Sequence, residues 1–168
     1  MKWTTKQLTL CAVLAALALA LSYIEGMFPV PLPLPGVKLG LANLVTLFAL
    51  YALGSAQALA ILVARVLLGA MFAGNASALI YSLLGGLSAL LAMLALRRLR
   101  RLSIYGVSVG GAAAHNFGQV CAAMLVLGNS APLAYLPLLL AVSVFTGALT
   151  GFIAGLLFRA MAYTGLSH

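Results

Sequence analysis

The sequence predicts an all-α, polytopic membrane protein, a single integral domain over residues 1–168 built as a bundle of six transmembrane helices. Three observations carry that prediction. Of the 168 residues, 65% are hydrophobic and only 6% charged, with a mean hydropathy of +1.20, whereas soluble domains are about half apolar and about one quarter charged. The apolar residues fall into segments near the length of about 20 residues that a helix rising about 1.5 Å per residue needs to cross about 30 Å of hydrocarbon. The basic residues collect at the ends of those segments.

The first helix is expected over about residues 8–25. It ends ahead of PVPLPLPGVKLGL, residues 29–41, whose four prolines and two glycines resist helix formation. From residue 39 to 72 the chain is apolar almost throughout, and one helix of that length would measure about 50 Å, beyond any ordinary tilt. Gly54-Ser55-Ala56-Gln57 is the polar, glycine-bearing place to turn, which predicts a short second helix at about 39–53 and a third at about 56–72. Gly74-Asn75 then precedes a fourth helix at about 76–96. A fifth follows the arginine cluster, at about 104–127, and Gly128-Asn129-Ser130-Ala131-Pro132 turns the chain into a sixth at about 134–158.

Lys2 and Lys6 precede helix 1, Arg97, Arg98, Arg100 and Arg101 lie between helices 4 and 5, and Arg159 ends helix 6. Six crossings put all of these on one side, which the positive-inside rule makes cytoplasmic, together with both termini. Trp3, Tyr51, Tyr105 and Tyr163 fall at that inner boundary, and Tyr23 and Tyr135 at the outer one, as an aromatic belt requires. Residues 1–20 also have the basic start, apolar core and Ala18-Leu19-Ala20 end of a signal peptide. Against cleavage, the apolar run continues to Ile24.

A formal charge of +8 would suggest nucleic acid in a soluble chain. Here the charges sit where membrane segments place them, so no nucleic-acid partner is expected. Cys11 and Cys121 lack metal-site or disulfide spacing, and neither a metal nor any other cofactor is expected.

Arg65 stands in the middle of helix 3, where a charge costs at least about 3 kcal/mol and by default marks a site or pathway. One reading is a buried ion pair with Glu25, the only acid in the chain. The other is a ligand's carboxylate or phosphate, for which a guanidinium offers a forked set of donors. Lys38 would add a second positive charge above Arg65, or else be a solvated loop residue or a surface partner of Glu25. In helix 5, His115 and Gln119 are four apart and share a face, with Asn116 beside them; such groups bind a ligand's polar atoms or bond neighbouring helices. Tyr81, with Asn75 and Ser77, opens helix 4 on the same outer side. Gly147, Gly151 and Gly155 in helix 6 and Ala12, Ala16 and Ala20 in helix 1 recur every four residues and permit close helix contact. The helix 6 stripe is expected to pack within the chain, while that of helix 1 faces either the chain itself or another subunit. The proline stretch, stiff and extended, is read as a wall or lid over the site.

The stretches LPLPGVKLGLANLVTL, ARVLLG, SLLGGLSALLAM and GVSVGGAAAHNFGQ resemble the Gx transporter family, whose members carry the label heptaprenyl diphosphate synthase component I and which is similar to the S components of energy-coupling factor (ECF) transporters. The resemblance covers about residues 22–158. It implies a bacterial six-helix protein of the cytoplasmic membrane that binds a small molecule on its outer side, beneath the loop joining helices 1 and 2. It also implies that Ala12, Ala16 and Ala20 dock on a coupling subunit, which works with ATPases. The resemblance transfers no ligand and no site, and the substrate-binding set expected from the residues themselves is Arg65, Lys38, Asn43, Tyr81, His115, Asn116 and Gln119.

The expected function is a substrate-binding subunit for uptake of a small anionic cofactor or vitamin precursor, with no catalytic residues. Joining prenyl diphosphates takes carboxylates that hold magnesium, and this chain has one acid. No GxxxxGK[ST] loop occurs, so any ATP use belongs to partners. Two alternatives are a membrane accessory subunit of a prenyl diphosphate synthase and a solitary ion-coupled carrier, the latter short of acids to carry ions.

Overall fold

The computed structural model describes residues 3–27, 40–99 and 101–163. Among them are six helices, α1 (Thr5–Met27), α2 (Asn43–Ala52), α3 (Ser55–Ala73), α4 (Ala76–Arg97), α5 (Ile104–Leu127) and α6 (Leu136–Tyr163), with a 3-10 turn at Ala131–Tyr135 and no strand. α2 starts at Asn43 rather than near residue 39, because Gly40 has φ +87°, a left-handed conformation that a helix cannot contain. α1 extends further at both ends than its apolar run alone required.

At 10 residues, α2 is about 15 Å long, half of a hydrocarbon core. It is nonetheless the hub of the bundle. α2 touches all five other helices, while α1 touches only α2 and α3 among the described elements. The remaining helices form an arc in which α3 meets α4, α4 meets α5 and α5 meets α6. Leu47, Ala49 and Leu50 of α2 are wholly buried and join Leu14 and Ala18 of α1, Ile61 and Leu62 of α3, and Leu90 and Met93 of α4 in one core. At its far end, α2 is held by Arg97, whose guanidinium donates to the Leu50 carbonyl and lies 4.9 Å from the centre of the Tyr51 ring.

The break between α2 and α3 falls at Gly54, with φ +109° and ψ 178°, a conformation that only glycine adopts readily. The Gly147, Gly151, Gly155 stripe of α6 packs within the chain. A methyl at Gly147 would stand 2.5 Å from the Val109 Cα, and one at Gly151 3.1 Å from the Tyr105 Cα. Ser108 and Thr150 share a hydroxyl hydrogen bond of 2.8 Å across the same α5 and α6 seam.

Polarity runs inside out relative to a soluble protein. Asn43, Thr46, Gln57, Arg65, Ser108, His115, Asn116 and Gln119 are buried, while Phe72 and Phe145 are each 78% exposed. Apolar surface on that scale needs lipid or a partner over it. α1, α3, α4 and the span Ala131–Ala162 are long and apolar enough to cross a membrane. With 24 residues, α5 has the length, but its glycines and its His, Asn and Gln lower its hydropathy. The chain is a multi-pass membrane protein.

Candidate functional site

The buried polar residues converge where α2 begins. Glu25, in the last turn of α1, accepts a hydrogen bond from the Gly40 amide at 2.6 Å on one oxygen and from the Leu41 amide at 3.1 Å on the other. These amides immediately precede α2, whose start has no side-chain cap. A carboxylate there complements the partial positive charge of a helix N-terminus.

Arg65 projects from α3 toward the same point. It is 6% exposed, and its Nη1 reaches Ser22 Oγ at a long 3.5 Å. Its Nε and Nη2, the edge that a carboxylate or phosphate takes side-on, are buried with no hydrogen-bond partner. Both side-chain atoms of Asn43, at the first position of α2, are likewise buried and unpartnered. Together with His115, Gln119 and Ser82, these groups line a cavity of about 20 Å³, room for about one water molecule.

Three glycines make the convergence possible. A methyl at Gly85 would lie 2.8 Å from His115 Cε1, one at Gly86 would lie 3.2 Å from Arg65 Nη2, and one at Gly40 would lie 2.8 Å from Asn43 Nδ2. Guanidinium and imidazole therefore rest against bare backbone. Gly85→Ala is expected to push His115 into the cavity and weaken ligand binding by about tenfold or more, at an overpacking cost of about 1–3 kcal/mol. Comparing the melting temperature and the retained ligand of variant and parent by native mass spectrometry checks both effects.

Of the residues expected from sequence, the structure brings together Arg65, Asn43, His115 and Gln119. It turns two others away. The Asn116 Nδ2 donates to the Leu139 carbonyl at 2.8 Å, so this side chain faces α6. Tyr81 is buried among Ile80, Leu84, Ala122 and Ala123, in the apolar seam between α4 and α5. Neither lines the cavity, since Asn116 is engaged by α6 and Tyr81 is packed into the α4 and α5 seam. Lys38 and the rest of residues 28–39, including the expected lid, fall outside the described residues. Ala12, Ala16 and Ala20 lie exposed along α1.

Glu25 and Arg65 border one cavity but share no hydrogen bond, since Glu25 takes the Gly40 and Leu41 amides and Arg65 bonds Ser22. Ser22, the residue Arg65 reaches, stands three positions, or about 4.5 Å, before Glu25 on α1. Ser22 and Ser82 were not anticipated. Ser22 lies at i−3 from Glu25, on the same face of α1, which is the signal that marks it.

Residues 14–157 match the family described as heptaprenyl diphosphate synthase component I. The chain belongs to that family. No curated protein matches the chain. A solved structure described as the S component of a bacterial ECF transporter superposes with a TM-score of 0.66 at 20% sequence identity, covering 95% of this chain and 96% of that one. The likeness establishes a shared fold. The one acidic side chain of the sequence, Glu25, is held by two backbone amides.

Proposed function

We propose that the chain is the substrate-binding subunit of an ECF-type transporter in the cytoplasmic membrane, taking up a small anionic molecule. The observation that carries this reading is a buried guanidinium whose side-on edge has no partner, lining a polar cavity inside the bundle. A cation kept in that state lowers stability, a cost that a visiting anion offsets. Arg65 holds the anionic group, while Asn43, His115 and Gln119 orient other polar atoms. Tyr81 and Asn116 remain in this reading as more distant contributors that shape the wall behind His115 and Gln119, and Lys38, outside the described residues, remains in it as a second positive charge. The fold shared with an S component supports the assignment.

The present cavity admits about one water, so a larger ligand enters when a wall yields. α1 is the wall with fewest partners, whereas α4, α5 and α6 interlock at glycines. The exposed Ala12, Ala16 and Ala20 give α1 a smooth outer face for a coupling subunit, which acts with ATPases. Vesicles containing the chain, offered a bacterial metabolite extract, are expected to accumulate one small anion only when coupling subunit and ATPases are co-reconstituted and supplied with ATP. Accumulation without ATP, driven by an ion gradient, would overturn the assignment. The family's name favours a second reading, an accessory membrane subunit of a prenyl diphosphate synthase; co-purification with a soluble synthase and no uptake is its signature.

A further inference from the structure

The cavity also restricts the charge of its occupant, an inference that rests on the reading of Arg65 as the ligand's anion partner. Among the described residues, the charged side chains lining it are Arg65 and Glu25, one cation and one anion, 6% and 5% exposed. Each oxygen of Glu25 receives a backbone N–H, an arrangement that suits the ionised carboxylate. Asn43, Ser82 and Gln119 add neutral polarity. Counted over the described residues, the site therefore begins at zero net charge, before any ligand arrives.

A diphosphate brought to such a site would leave two or more negative charges buried without compensation, and charges taken out of water without partners are strongly disfavoured. It would also meet Glu25 seated on the Gly40 and Leu41 amides, the donors ahead of α2 that a phosphate would otherwise use. A single carboxylate fits differently. It matches the two donors of the Nε and Nη2 edge of Arg65, adds one charge in contact with a cation, and leaves Glu25 in place. Although the family is named for a synthase of diphosphates, we propose that this cavity takes a molecule carrying one carboxylate and rejects diphosphates.

The test uses the full chain in lipid nanodiscs at about pH 8, where imidazole is neutral. The chain is titrated separately with butyrate and inorganic pyrophosphate at matched ionic strength. The signal is the part of the ligand-induced rise in melting temperature that is lost in Arg65→Met. The expected result is saturable stabilisation by butyrate, with pyrophosphate needing about tenfold more or worse. Glu25→Gln should narrow that preference by about tenfold. If Glu25→Gln does not fold, the order of the two probes on the unmodified chain still decides. Arg65-dependent binding of pyrophosphate as tight as that of butyrate overturns this inference and leaves the anion site standing. Absence of saturable, Arg65-dependent stabilisation by either probe overturns both.

Discussion

Arg65→Met is expected to abolish ligand retention while leaving a protein at least as stable as the parent. Methionine fills a similar volume without a charge, so the substitution removes the desolvation cost of a guanidinium that holds one long hydrogen bond, to Ser22. A buried charge is disfavoured by its lost hydration, and Glu25 keeps its own two amide donors when Arg65 is replaced. Losing the anion's charged partner costs binding about 2–5 kcal/mol, or about 30-fold to several thousandfold. Native mass spectrometry of the gently purified proteins reads the first effect, and thermal melting in one detergent reads the second. An Arg65→Met protein that unfolds readily, or keeps the same bound small molecule, would show that Arg65 is structural. Glu25→Ala offers the contrast. It frees the Gly40 and Leu41 amides inside the bundle, for which a cost of about 1–3 kcal/mol is expected.

The second large effect is expected at Gly118→Val. A methyl built on Gly118 of α5 would stand 2.5 Å from the Leu84 carbonyl oxygen and 2.7 Å from Ser88 Oγ of α4. The nearest obstacle is backbone, which cannot swing aside as a flexible side chain does. The helices must part, and His115 and Gln119, which bracket Gly118 on α5, move away from Arg65. Overpacking of this kind costs about 1–3 kcal/mol for the first carbon and more for a branched side chain. The expected outcome is a protein that inserts poorly or melts well below the parent, measured by yield of monodisperse protein and by melting temperature. Gly106→Ala is the control, since its methyl would meet only the Leu102 side chain, at 3.1 Å. Equal stability of Gly118→Val and parent would refute the close approach of α4 and α5.

Much of the architecture is legible in composition and spacing. Six helices and the turn at Gly54 follow from measuring apolar runs against membrane thickness, because in lipid the backbone must satisfy itself within each segment. Arg65 stands out for the same reason: a charge inside an apolar helix is expensive wherever its neighbours lie. The pairing of His115 with Gln119 follows from helical periodicity alone. Asn116 and Tyr81 do not yield to such counting, since periodicity gives relative faces and not which face meets α2. Nor does counting show that Glu25 and Arg65 border one cavity, because the reach of a side chain between two helices depends on how far each is shifted along its axis.

The sequence by itself determined that this chain is a membrane bundle and that Arg65 is its anomaly, since both follow from the local cost of moving polar groups into hydrocarbon. Only the tertiary structure decided that Glu25 clamps the Gly40 and Leu41 amides beside the cavity it shares with Arg65, and that Gly85 and Gly86 open room for His115 and the guanidinium. The physical reason is that burial cost is set residue by residue, whereas the partner of a charge is set by which helices pack together and at what offset, and no local pattern encodes that.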